Sequence, residues 1–429
     1  MTDRPAAASR SPWSWVPSLY FAQGIPYVVV MSISVIMYKK MGISNTDIAL
    51  YTSWLYLPWV VKPLWSPFVD MFQTKRFWIV TLQLLIALSL SAVAFTIPSA
   101  GFFQVTLAVF WLMAFASATH DIAADGFYML GLEQHQQAAF VGVRSTFYRI
   151  AMITGQGLLV VLAGSLETST GSIATGWSWT FFVLSGLFAV LFAYHTAMLP
   201  RPAADRAVLS SGSSSVLTEF FNTFATFFRK KEIGVILAFL LLYRFAEAQL
   251  VKLVTPFLLD PREAGGLGLT TQEVGIAYGT VGVIALTLGG LLGGYVISKR
   301  GLRYWLWPMV FIIHLPDAAF VFLSWLQPEN FFVISAAVAV EQFGYGFGFT
   351  AYMLYMILVS DGEHKTAHYA ICTGFMALGM MLPGMFSGWL EDQIGYRNFF
   401  LWVMLSTIPG FIVAALVTVP EGFGKKKEQ

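Results

Sequence analysis

Charge is scarce in this 429-residue sequence: 11% of residues are Asp, Glu, Lys or Arg, 57% are hydrophobic, and the mean hydropathy is +0.68. A chain of this length with so little charge cannot present a water-facing surface throughout, so its solvent must in part be lipid. Cysteine is nearly absent too. Cys372 alone excludes an internal disulfide and any metal held by several thiolates; no metal site and no cofactor is read from the chain. The net charge of +2 is too small to make nucleic acid a partner. No G-x-x-x-x-G-K-[ST] segment is present, which argues against ATP hydrolysis by this chain. A membrane-embedded hydrolase or acyltransferase would use His120 with Asp121 or Asp125, yet no Ser or Cys in a strained turn stands nearby. The chain does not read as an enzyme.

Apolar runs of about 20 residues, enough to cross roughly 30 Å of hydrocarbon, are what the sequence has in abundance. They recur twelve times, near 14–38, 48–69, 77–97, 103–128, 141–164, 177–198, 232–258, 272–297, 303–325, 331–358, 366–390 and 397–419. The expected fold is an all-α integral membrane protein of twelve transmembrane helices. The long polar interruption at 200–231 begins Ser- and Gly-rich and ends as VLTEFFNTFATFFRKK, an amphipathic helix at the membrane surface. It divides the spans into an N-terminal six-helix half, 1–199, and a C-terminal six-helix half, 232–429, which is the layout of the major facilitator superfamily. Seventeen Lys and Arg fall in segments on one side and four on the other, which places both termini and the linker in the cytoplasm. The first run is as long as a full span and lacks a cleavage site, so it reads as a membrane helix and not as a removed signal.

Nine ionisable residues nevertheless fall inside these spans: Lys62, Asp121, Asp125, Arg149, Arg244, Glu247, Lys252, Asp317 and Glu341. Such groups are costly in lipid and belong in a bundle interior or a watery cavity. Asp121 and Asp125 are four apart, one helical turn, and two carboxylates that close cannot easily both stay ionised. One is expected to pair with Arg149 in the next span and the other to exchange a proton; Glu341 is the third proton-coupling candidate. Arg244 and Glu247, three apart, either neutralise one another or meet the cargo. Lys252 has no acid near it in its own helix and either seeks an anion or snorkels outward. Tyr20, Gln23 and Tyr27 share one side of the first span, where Pro26 loosens the helix. Gln342 and Tyr345 lie in a Gly-rich stretch of the tenth. With Arg149, Arg244 and Lys252, these are the candidate substrate-binding residues, cations for anionic groups and rings for sugar faces.

The run Lys62, Pro63, Leu64, Trp65, Ser66, Pro67, Phe68, Val69, Asp70 resembles the K-x-L-W-[AS]-P-x-x-D segment of AmpG-type muropeptide permeases, members of the major facilitator superfamily. FAQGIP at 21–26, SATHDIAADGF at 117–127, YRIAM at 148–152 and GWSWTFFVLSG at 176–186 are similar to the same family. LLYRFAEA, GLTTQEVG and GGYVISKRG carry the likeness, more weakly, into the second half. The resemblance implies a carrier of the bacterial inner membrane, working as a monomer, that takes up a sugar-containing anionic solute with protons by alternating access. It also implies gating roles for Lys62, Asp70, Lys75 and Arg76 around the loop after the second span. Ser298 stands where a second-half copy of that loop would carry an acid, which makes that half the weaker gate. Relatives of the family are proposed to carry siderophores or acyl-coenzyme A; an amino sugar or a disaccharide is a further alternative, and a passive channel is the alternative of another class.

Overall fold

The computed structural model describes residues 10–203, 205–206, 221–222, 224–362 and 365–425, with the side chains at 67, 70, 71, 134, 138, 141 and 366 excepted. Regular structure among them is entirely helical. In chain order the helices are α1 (Pro12–Lys40), the shorter α2 (Asn45–Trp54) and α3 (Leu57–Phe72), α4 (Lys75–Thr96), α5 (Phe102–Gly131), α6 (Gln134–Thr170), α7 (Ile173–Met198), α8 (Ile233–Leu259), α9 (Thr271–Arg300), α10 (Leu302–Leu326), α11 (Phe331–Ser360) and α12 (Ala367–Leu416). All but α2 and α3 are each long and apolar enough to cross a membrane, ten in all among the described residues.

Two departures from the expected twelve runs have local causes. The run at 48–69 is split at Leu55 and Tyr56, because Pro58 in the first turn of α3 lacks an N–H and starts a helix better than it continues one. The runs at 366–390 and 397–419 both fall within α12, which is two helices meeting at a kink. Gly395 makes that kink with φ 71° and ψ 161°, a conformation that side chains other than glycine's resist. Of the amphipathic helix expected within 200–231, residues 221–222 and 224–228 are helical, with Phe227 buried and Phe221 and Phe228 exposed; the part before 221 and residue 223 lie outside the described residues.

Other breaks aim side chains inward. Past Pro26 the ladder of α1 widens into a π turn at Val29–Ile33, the kind of local rearrangement that recurs at functional sites. α8 is interrupted at Tyr243 and Arg244, where Arg244 takes φ −109° and ψ 22°. In α10, Pro316 forces a single 3₁₀ turn at Leu315–Asp317.

Apolar packing divides along the chain. Phe110, Trp177, Phe181 and Phe188 centre one core, among α1, α2 and α4–α7; Phe239, Tyr243, Tyr352 and Met356 centre another, between α8, α11 and the helices beside them. Phe95, Leu291, Phe332 and Phe386 point outward, which suits a lipid solvent. Where α6 meets α9 the backbones touch: a Cβ on Gly279 would lie 1.8 Å from the Gln156 carbonyl oxygen.

Candidate transport site

Two charged clusters and one polar seal surround the place where α1–α7 meet α8–α12. In the first cluster Asp121 and Asp125 do stand on one face of α5, but each already has a cation. Lys62 on α3 brings Nζ to 3.6 Å from Asp121 Oδ2, and Trp59 donates its indole N–H to the same oxygen at 3.1 Å. Asp125 Oδ1 accepts from Arg144 Nη2 at 2.8 Å and from the Tyr20 hydroxyl at 3.2 Å. The Arg144 guanidinium lies over the Tyr20 ring, 4.6 Å from its centroid.

Arg149, the expected partner, makes no ion pair among the described residues. The physical reason is angular: Arg144 and Arg149 are five apart, about 140° around a helix, so both cannot face the same acids. A reciprocal capping box between Glu133 and Gln136 begins this helix before the apolar run does, and Arg144 is the residue on its acid-facing side. Gln23 stands beside Asp121 with its Oε1 unpartnered.

The second cluster gathers around the breaks in α8 and α10. Arg244 is buried, donates through Nη2 to the Tyr345 hydroxyl, and lies 4.6 Å from the Phe349 ring centroid. It forms no ion pair with Glu247, so the self-neutralised alternative does not hold among the described residues. Glu247, Asp317 and Glu341 bring carboxylate oxygens within 4.8 Å of one another, and all three are buried. Gln342 donates to Glu341 Oε2 at 2.9 Å; the other five carboxylate oxygens have no hydrogen-bond partner. Lys252 does not snorkel: it reaches across to α2 and donates to Thr52 Oγ1 at 2.9 Å. Tyr56, at the break between α2 and α3, has Lys252 over its ring and stands with Tyr27, Arg244 and Tyr345. Tyr56 and Trp59 had no signal in the sequence beyond aromaticity.

The seal lies at the end of the bundle that holds the α1–α2 turn. Lys39 Nζ is 2.6 Å from Asp260 Oδ1; Asn45 donates to Glu391 Oε2 at 2.7 Å and to the Tyr396 hydroxyl at 2.8 Å; Thr46 donates to Asp392. Thr271 donates to Glu167 at 2.8 Å, and Gln272 to Ser165 at 3.2 Å. With Lys252–Thr52, these account for the polar side-chain bonds between α1–α7 and α8–α12 among the described residues, save a longer one from Asn45 to Asp260 at 3.4 Å. Among the described residues, the side-chain bonds between α1–α7 and α8–α12 gather at this end of the bundle.

Of the expected gating residues, Arg76 donates to the Thr196 and Leu199 carbonyls at the end of α7, and the backbone N–H groups of Lys75 and Arg76 donate to Asp205. These bonds tie the start of α4 to α7 and to the chain that follows. The side chain of Asp70 lies outside the described ones.

Known proteins share this layout. The sequence matches the Major Facilitator Superfamily over residues 18–367. It is 26% identical to "Putative transporter AmpG 4" of Rickettsia conorii, over 92% of this chain and 94% of that one. It is 25% identical to the anhydromuropeptide permease of Escherichia coli, over 92% of this chain and 77% of that one. Among solved structures, the nucleoside transporter NupG superposes with a TM-score of 0.67 at 16% identity, over 94% of this chain and 98% of that one. The D-xylose–proton symporter gives 0.69 at 13% identity, over 97% and 99%. Buried charge between two sets of membrane helices, a seal at one end and this breadth of match together place the chain in the major facilitator superfamily, as a multi-pass membrane transporter and not an enzyme.

Proposed function

We propose that the protein imports a sugar-containing, anionic solute of the anhydro-muropeptide kind across the bacterial inner membrane, coupled to protons. Residues 1–199 and 232–429 are the two moving halves and 200–231 the cytoplasmic linker. The observation that carries this reading is Arg244: a buried guanidinium at a helix break, between aromatic rings and without an ion pair among the described residues, offers an anion a partner where rings can stack on a sugar. Tyr27, Tyr56 and Tyr345 supply those rings, and Tyr20, Gln23, Gln342 and Lys252 the polar border. Arg149 stays a peripheral counter-charge. The relative named an anhydromuropeptide permease supports the same cargo class.

With both termini cytoplasmic, the sealed end faces outward and the structure is the inward-open state of an alternating-access cycle. Lys62, Asp70, Lys75 and Arg76 then couple α3 and α4 to their neighbours as gating residues. Protons enter through the membrane acids, for which Asp121, Asp125 and Glu341 are the sequence's candidates. The test is uptake into proteoliposomes from a panel of anhydro-muropeptides, amino sugars and disaccharides, with and without an imposed pH gradient. Accumulation of the muropeptides alone, dependent on the gradient, is the expected result. Accumulation of a neutral disaccharide in their place would overturn the cargo, and gradient-independent equilibration would overturn the coupling.

A further inference from the structure

The acids of the N-terminal half and those of the C-terminal half are balanced differently. Asp121 faces Lys62 and Asp125 faces Arg144, one cation to each acid. Glu247, Asp317 and Glu341 face one cation between the three. Arg244 acts on Glu247 from the break in α8; Tyr278 of α9 and Tyr345 of α11 stand nearby as neutral phenols. Gln342 satisfies one oxygen of Glu341. His314, one turn before Asp317, has neither ring nitrogen bonded and packs against Tyr243 and Phe411. Lys252 is engaged with Thr52.

Without cargo, the one guanidinium can offset at most one of the three carboxylates, which leaves two uncompensated negative charges in a dry interior, where a net charge is untenable. Five carboxylate oxygens without a partner among the described residues, on side chains at most 1% exposed, are the second sign that something is bound there. We infer that Glu247, Asp317 and Glu341 are the coupling site of the carrier and hold two exchangeable protons, while Asp121 and Asp125 are structural ion pairs. This rests on the proton-coupled reading above and moves its proton site to the C-terminal half, with a stoichiometry. Each proton binds a carboxylate oxygen as O–H on loading and leaves as hydronium on the cytoplasmic side; no other group changes. The site releases its protons only when water reaches it, which ties discharge to one face of the cycle.

The test reads the protons without needing cargo. Infrared difference spectra of the purified full-length protein at neutral pH separate the carbonyl stretch of protonated carboxyls from ionised carboxylates. Two protonated carboxyls are expected in the parent. Glu247→Gln, Asp317→Asn and Glu341→Gln each remove one acid and leave a surplus of one, so each should retain a single protonated carboxyl, and any pair of these changes should retain none. Asp317→Glu keeps both if the fold is intact, as checked by gel filtration. Signals that survive the paired changes, or that vanish in Asp121→Asn, overturn the assignment. So does a stoichiometric divalent cation, Ca²⁺ or Mn²⁺, found in the purified protein and lost with the triad, since one such ion would balance the same two charges. Where uptake is observed, accumulation at clamped potential should scale with the second power of the proton gradient, about 100-fold per pH unit, and fall to about tenfold per unit in each single variant.

Discussion

The seal at the α1–α2 turn can be opened by one substitution whose effect is calculable. Asn45 is buried, and its amide donates to Glu391 Oε2, to the Tyr396 hydroxyl and, at 3.4 Å, to Asp260. Asn45→Ala removes all three, together with the bond its Oδ1 accepts from Lys39 at 2.7 Å, which lies within α1–α2 and does not cross the seal. A hydrogen bond to a charged acceptor contributes about 1.5–3 kcal/mol and a neutral one about 1 kcal/mol; counting the long bond as weak, the sealed state loses about 3 kcal/mol. In a two-state carrier that shifts the balance toward the outward-open state by roughly 100-fold. Ser53, buried just beneath the seal with its hydroxyl unpartnered, supplies the reporter. In proteoliposomes, Ser53→Cys should react slowly with an impermeant maleimide, since the native Cys372 is itself buried. The same cysteine in an Asn45→Ala background should react one to two orders of magnitude faster. An unchanged rate in well-folded protein would show that these bonds do not hold the outer end closed.

Arg244→Lys keeps the charge but loses the planar stack on Phe349 and the bond to Tyr345, so cargo affinity, read by isothermal titration, should fall at least about tenfold. Arg144→Ala strands Asp125, but both side chains are about one-third exposed, so the thermal-melt loss should be only about 1 kcal/mol and Asp125→Asn in the same chain should recover it. Gly279→Ala drives a Cβ into the Gln156 carbonyl and should cost about 1–3 kcal/mol by thermal unfolding, unless α6 and α9 separate at no cost. A cysteine at the exposed Thr170 should be labelled from outside intact cells; labelling only after permeabilisation would invert the topology.

Much of this architecture could be read from the residues because lipid enforces it. Long apolar runs, sparse charge and the bias of Lys and Arg are direct consequences of crossing a bilayer. That Asp121, Arg244, Lys252 and Glu341 turn inward follows from the same cost. What could not be read was which charge meets which. The choice of Arg144 over Arg149 depends on which face of α6 is turned toward the acids of α5, and the spacing of the two arginines does not fix that. Lys39, Asn45 and Glu391 looked like ordinary loop residues, since a seal between segments about 350 residues apart leaves no local pattern. Glu247 and Asp317 were visible as charges but not as partners of Glu341, because their meeting depends on the breaks at Arg244 and Pro316.

The backbone contact at Gly279 and Gln156 bears on leakage. A point where two bodies touch without side chains between them is a fulcrum, and bodies rocking on a fulcrum cannot lift both ends at once. In the proposed alternating-access cycle, parting the bonds around Asn45 would swing the opposite rims together, so that the pathway is obstructed on one side whenever it is clear on the other. A bulkier residue at 279 would act as a shim under the lever, spacing the arms so that neither end meets its counterpart fully. Ions would then slip through unaccompanied, even with every charged side chain in place.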